Sequence, residues 1–160
     1  MKALVLAGGD ITDYPRYEEY IRKTDLIICA DSGIHHDLNM SITPDILVGD
    51  MDSIDPCELE KIKKSGIEVR TFPREKDFTD TQLALELALK LGADKAVILG
   101  GWGNRPDHSI ANMFLLVDYK NKGLDVMLTG ENWEMFLIDG EKEVIGKKGD
   151  ILSLIPLSSE

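Results

Sequence analysis

Short apolar runs alternate with helix-period segments along most of this chain, and that alternation restricts it to few folds. Residues 2–7, 25–30, 46–48, 67–72, 95–99 and 124–128 are the runs. The most apolar of them lack the polar–apolar alternation of a half-exposed strand, which marks strands buried on both faces of a parallel sheet. Residues 14–23 are a predicted helix, and a short one is predicted through 35–40. Pro56 opens a helix over 56–64, with Gly66 just past its end. Thr79-Asp80-Thr81-Gln82 has the form of a capping box with Thr79 as N-cap. Leu83, Leu87 and Leu91, with Ala84 and Ala88, then repeat at helical spacing as far as Gly92. Ile110, Met113, Phe114 and Val117 mark the apolar face expected of the next helix. The predicted fold is an α/β domain: a largely parallel, Rossmann-like sheet flanked by helices, with right-handed crossovers.

In such sheets, ligands bind beyond the carboxyl ends of the strands. The polar clusters fall there. Asp31 follows the second run, and Asp50 and Asp52 follow the third. Asp77 and Asp80 follow the fourth, and Arg105, Asp107 and His108 follow the fifth. If the strand path continues past Gly49, Asp50 and Asp52 point to the same side. Two like charges that close are unfavourable unless neutralised, and a hard divalent cation such as Mg²⁺ neutralises carboxylates well. The bland alternative is a solvated acidic turn. Asp77 and Asp80 have a bland reading too, because a helix start favours acidic residues. Capping alone explains Thr79 and one aspartate, not both.

The loop Gly100-Gly101-Trp102-Gly103-Asn104-Arg105-Pro106-Asp107-His108 is the second informative stretch. Its glycines let backbone N–H groups approach phosphate oxygens, the next helix aims its positive end at the same place, and Arg105 offers a planar fork of donors. Against this, Asp107 is also a plausible helix cap, and His108 a surface residue. Trp102 packs either on a base or on protein, and His35 and His36 read as structural. No P-loop, no complete G-x-G-x-x-G fingerprint and no nucleophile elbow occurs in the chain.

The formal net charge of −11 argues against non-specific binding to nucleic acid or to an anionic membrane. No apolar run approaches the ~20 residues of a membrane span, and the first residues read as a strand rather than a signal peptide. Cys29 and Cys57 lack metal-ligand spacing, and a reduced, cytoplasmic setting is expected.

After Gly130 the pattern changes. Residues 133–138, 144–145 and 151–155 look like short strands between glycine-containing turns. The expected division is an α/β catalytic domain over 1–129 and an incomplete β-rich unit over 130–160. About 30 residues do not easily make a self-sufficient β domain. These strands are expected to pack on the first domain, pair with another chain, or begin a larger β-sandwich.

Ala30-Asp31-Ser32-Gly33, Gly49-Asp50-Met51-Asp52-Ser53-Ile54, Lys76-Asp77-Phe78-Thr79-Asp80-Thr81, and Gly100-Gly101 through Arg105-Pro106-Asp107-His108 together resemble the ordered motifs of the thiamine pyrophosphokinase family. Ser32 stands where glycine is usual, Met51 where phenylalanine is usual, and Asn104 alters the entry to Arg105, all mild departures. The serious one is length, since Ser153-Leu154-Ile155-Pro156-Leu157 resembles only an early part of the family's β domain. The resemblance implies Mg²⁺-dependent transfer of pyrophosphate from ATP to the hydroxyl of thiamine, giving thiamine diphosphate and AMP. It implies metal binding by Asp50, Asp52 and Asp77. It implies nucleotide or phosphate contacts from Asp31, Thr79, Asp80, Gly100, Gly101, Arg105 and His108, and catalytic roles for Arg105 and Asp107 beside the three aspartates. Asp77 and Asp107 are the candidate proton acceptors. The family also implies a homodimer, with thiamine between the catalytic domain of one subunit and the β domain of the other. Two rivals remain from the residues alone: a pyrophosphokinase acting on another small alcohol such as a pterin, and a non-catalytic nucleotide-binding module.

Overall fold

The computed structural model describes residues 1–157 except Lys76, and leaves the side chain of Leu38 undescribed. Lys76 of the third motif and the closing Ser158-Ser159-Glu160 therefore lie outside the described residues. Seven strands form one sheet: β1 (Lys2–Leu6), β2 (Leu26–Ala30), β3 (Ile46–Gly49), β4 (Glu68–Thr71), β5 (Lys95–Leu99), β6 (Asp125–Gly130) and β7 (Trp133–Phe136). The spatial order is β4-β3-β2-β1-β5-β6-β7. The first six strands are parallel, and β7 returns antiparallel on β6.

The strands are buried on both faces because each supplies two apolar sets. Ala3, Val5 and Ala7 join one core with Ile28, Val48 and Ile98. Leu4 and Leu6 join the other with Cys29, Leu47 and Leu99. On the first face lie α4 (Asp80–Lys90) and α5 (Pro106–Asn121). On the second lie 3-10 turns at Tyr14–Tyr17 and Asp31–His36, short α1 (Glu18–Arg22) and α2 (Asp37–Met40), and α3 (Pro56–Lys64). The predicted helix over 14–23 is thus a 3-10 turn running into a single α-helical stretch.

Chain order sets where a ligand fits. From β1 the chain steps outward through β2 and β3 to β4, then α4 crosses over β3, β2 and β1 to deliver β5 on the opposite side of β1. The gap between β1 and β5, beyond their carboxyl ends, is the switch point where such sheets bind ligands.

Two expectations need correction. Residues 133–136 do form a strand, but it completes the main sheet through the register Gly130↔Trp133 to Met127↔Phe136. Residues 144–145 and 151–155 form no strand. The free edge of β6 is already taken by β7, and a strand without a partner is not stable in water. Ile145 and Ile151 are 91% and 92% exposed.

The second correction concerns α5. Its buried face is Ser109, Asn112, Leu115, Leu116 and Tyr119, whereas Ile110 and Phe114 of the predicted apolar stripe are 48% and 53% exposed. Tyr119 is fully buried, and its single hydroxyl proton has Gln82 O and a Glu86 carboxylate oxygen of α4 within reach at 2.9 and 3.0 Å, a bond that ties the two helices together.

Candidate functional site

Beyond the strand ends at the switch point lies a cavity of about 330 Å³. Four segments line it: Ala7-Gly8-Gly9 after β1, Ala30-Asp31-Ser32 after β2, Thr79-Asp80-Thr81 at the start of α4, and the loop from β5 into α5. From that last segment come Gly100, Gly101, Gly103, Asn104 and Arg105, with His108, Ser109 and Asn112 of α5.

Asp31 sits just after β2 with φ +47, a left-handed conformation that aspartate tolerates better than most residues. Its neighbour Gly49 permits this placement, because a Cβ on Gly49 would lie 3.1 Å from Asp31 Cβ. An oxygen of Asp31 lies within 4.8 Å of an oxygen of Asp50 and one of Asp52. Among the described residues this is the one group of three acidic, histidine or cysteine side chains so placed.

The strand path expected through Asp50 and Asp52 does not continue. Met51 takes φ +64, its side chain is buried in the second core, and the chain turns. The carboxylates still meet, because the turn lets Asp52 N–H donate to Asp50 Oδ1 at 3.0 Å. Hydrogen bonding to Asp50, and its charge, push Asp52 above the usual carboxylate range. Arg74 reaches Asp52 at 3.6 Å as a partial counter-charge.

Asp31 Oδ2 accepts a hydrogen bond from Ser53 Oγ, while Asp31 Oδ1 is buried and has no partner. A buried carboxylate oxygen left unpaired is unfavourable, and a cation is the ligand that would satisfy it. Three converging carboxylates with one orphaned oxygen fit a magnesium ion. Asp77, expected in this group, is instead exposed on the loop between β4 and α4 and is not one of its members.

The other side of the cavity is cationic and braced. Arg105 pairs with Asp107 through Nη2 at 2.6 Å and Nε at 3.3 Å. The guanidinium holds Asp107 below its ordinary range, and Asp107 raises Arg105 in return. Asp107 is therefore bound to Arg105 rather than poised as a base. His108 lies 3.9 Å from Asp107 and also lines the cavity. Thr79 caps α4, its Oγ1 accepting from Gln82 N–H at 3.2 Å, so the positive end of the helix faces the site. Asp80 and the buried Thr81 follow it at the cavity wall.

The glycines of the loop serve close packing as well as ligand approach. Gly9 N–H donates to Gly100 O at 2.8 Å, joining the ends of β1 and β5. Gly100 has φ +66, and a Cβ there would lie 2.4 Å from Ala7 O. His36 supports the same corner, with Nε2 3.0 Å from Gly9 O and Nδ1 3.0 Å from Tyr14 Oη. Since Gly9 O only accepts, Nε2 carries the proton and Nδ1 accepts from Tyr14. Trp102 packs edge-on against Trp133 at 5.8 Å and remains 44% exposed.

Sequence reasoning missed Ser109 and Asn112. Both are polar, both are buried, and both hydrogen-bond to the glycine loop. Their three-residue spacing on one helix face was the available signal, but it was overshadowed by the apolar stripe.

Known proteins share this architecture. The family described as thiamin pyrophosphokinase, catalytic domain, matches residues 17–128. The thiamine pyrophosphokinase of Bacillus subtilis is 30% identical over 158 residues, which is 98% of this chain and 74% of that protein. The crystal structure of the Bacillus subtilis enzyme superposes with a TM-score of 0.69 at 30% identity, over 82% of this chain and 61% of that one. That of a family protein from Enterococcus faecalis gives 0.68 at 28% identity, over 81% and 62%. The chain thus spans about six-tenths of each of these two solved structures. With a family match over most of its sheet and helices and a relative of this closeness, the chain belongs to the thiamine pyrophosphokinase family.

Proposed function

We propose that this chain binds ATP with magnesium at the switch-point cavity and transfers pyrophosphate to the hydroxyl of thiamine, giving thiamine diphosphate and AMP. The observation that carries the reading is the double membership of Asp31. It lines the cavity and also belongs to the carboxylate group with Asp50 and Asp52. A polyphosphate in the cavity and a cation on the carboxylates would therefore lie against each other.

Asp31, Asp50 and Asp52 would hold the magnesium, which supplies charge neutralisation as the phosphate chain is cleaved. Arg105 would turn its donor fork from Asp107 to phosphate oxygens, with Asp107 guiding it in the resting state. The N-terminus of α4, with Thr79 and Asp80, and the glycine loop with Gly100 and Gly101 would orient the phosphates, and His108 would add a donor at the same wall. Catalysis would rest on position and electrostatics more than on a strong base. Asp77, exposed on its loop, and Asp107, released once Arg105 turns to the phosphates, are the two carboxylates that could take the proton of the acceptor hydroxyl.

A cytoplasmic homodimer is part of the same reading, with the segment after β7 contributing to a β-rich unit. The exposed Ile145, Ile151, Leu152 and Leu154 support it, since apolar residues of that number ordinarily find a partner. Light scattering on the purified chain checks this, and a monomer at all concentrations would refute it. The decisive assay mixes the protein with ATP, Mg²⁺ and thiamine and resolves the products. Thiamine diphosphate and AMP in equal amounts are expected; ATP consumption to ADP, or no thiamine dependence, would overturn the assignment.

A further inference from the structure

The loop from β5 to α5 is held by two side chains that a helix core alone would not select. Ser109 and Asn112 are 2% and 6% exposed, three residues apart on α5, among leucines and a tyrosine. Both residue types are weak helix formers, and both bury polar atoms that need partners. Alanine and leucine would serve packing and helix propensity better. Their partners explain their presence. Asn112 Nδ2 donates to Gly101 O at 2.7 Å. Ser109 Oγ accepts from Gly103 N–H at 3.2 Å. It has a single proton to give, with Arg105 O at 3.1 Å and Gly103 O at 3.3 Å within reach.

We propose that Asn112 and Ser109 are positioning residues that set the Gly100–Arg105 loop in its phosphate-binding conformation before ligand arrives. This rests on the nucleotide reading above. Peptide planarity makes the mechanism specific: fixing Gly101 C=O toward α5 turns the Trp102 N–H the opposite way. Bonds at Gly101, Gly103 and Arg105 tie three points of the loop to α5, so the peptide planes that carry them do not rotate independently of the helix. The backbone of Arg105 is anchored by Ser109, while its side chain stays 66% exposed and pairs with Asp107. A fixed root with an exposed fork is an arrangement that binds phosphate without first ordering the loop.

The test compares ATP·Mg²⁺ with adenosine, which keeps the base and sugar but lacks phosphates. Asn112→Asp preserves shape and removes the donor, and Ser109→Ala removes one hydroxyl. Circular dichroism and thermal melts establish folding, calorimetry reads ATP, and ligand-observed NMR reads adenosine. Each variant is expected to bind ATP roughly tenfold more weakly, as for one lost hydrogen bond, with adenosine affinity held within about twofold. Unchanged ATP affinity, or equal losses for ATP and adenosine, would overturn the positioning role. If Asn112→Asp does not fold, Ser109→Ala carries the test; failure of both to fold assigns the pair to stability and refutes the proposal. Wild-type protein that binds no ATP would bring down the nucleotide reading as well, which separates the two failures.

Discussion

The carboxylate group that Asp31 joins to the cavity and the glycine loop across from it are two walls of the site built on opposite principles. On the Asp31–Asp50–Asp52 side, like charges are gathered on turns with left-handed residues at Asp31 and Met51, and one buried oxygen has no partner. On the Gly100–Arg105 side, the loop is hydrogen-bonded to Gly9, to Asn112 and to Ser109, and Arg105 is already neutralised by Asp107. One wall holds repulsion that a cation would relieve. The other is complete before anything binds. The lesson is that a preformed site need not be uniformly stable: the braced wall supplies geometry, and the strained wall would supply the affinity for a cation proposed above.

The contrast makes predictions of decreasing size. Asp50→Asn keeps shape but removes a charge from the strained wall, so the Mg²⁺-dependent formation of AMP should fall by on the order of 10²–10³. The same change relieves repulsion on Asp52, so the melting temperature without metal should hold or rise. A loss of stability alongside retained turnover would erase the distinction between the walls.

Gly100→Ala attacks the braced wall. Its φ of +66 and the 2.4 Å approach to Ala7 O leave no room for a methyl group. Urea denaturation should show a loss of about 2–3 kcal/mol, summing left-handed strain and overpacking. A neutral result would mean that the loop is not pressed against β1.

Arg105→Lys tests whether geometry or charge matters on the braced wall. Lysine keeps the charge but loses the planar fork, so ATP affinity should drop by roughly tenfold. Stability should change little, because the Arg105–Asp107 pair is exposed. Calorimetry and a thermal melt on one sample decide both.

The smallest effect is one of pH. Burial holds His36 below its ordinary value of 6.5, against the raising influence of its bond to Gly9 O. A histidine kept neutral in the fold takes up fewer protons than in the unfolded chain, so stability rises with pH across the interval between the two values. The contribution from His36 is complete above about 6.5 and is lost as pH falls through that value toward the lower folded one. Melts at about pH 7.5 and about pH 5.5, roughly one unit either side of the free value, should differ less for His36→Gln than for wild type. An identical slope would remove His36 from the corner that supports Gly9.

Much of this was legible in the chain as written. The buried runs of β1, β2, β3 and β5 were legible without tertiary knowledge, because short, mostly apolar, β-branched-rich runs closed by turn residues fit strands covered on both sides better than helices. Thr79 as a cap was equally legible, since a hydroxyl three residues before Gln82 N–H satisfies a local need. Asp31, Asp50 and Arg105 were findable because they follow strands, and strand ends share one rim. Residues 144–145 and 151–155 misled for the converse reason: strand propensity is a statement about fit to a partner, and none is present among the described residues.

Local chemistry by itself determined the class of fold, the strand ends that carry polar groups, and the start of α4. Tertiary structure decided the rest. It replaced Asp77 with Asp31 in the carboxylate group, because contact across β2 and β3 depends on sheet order rather than on sequence spacing. It rotated α5 so that Ser109 and Asn112 face inward and Ile110 and Phe114 face out. A helix turns its polar side to the core only when the core offers hydrogen bonds, and that offer came from a loop whose path no local pattern reveals.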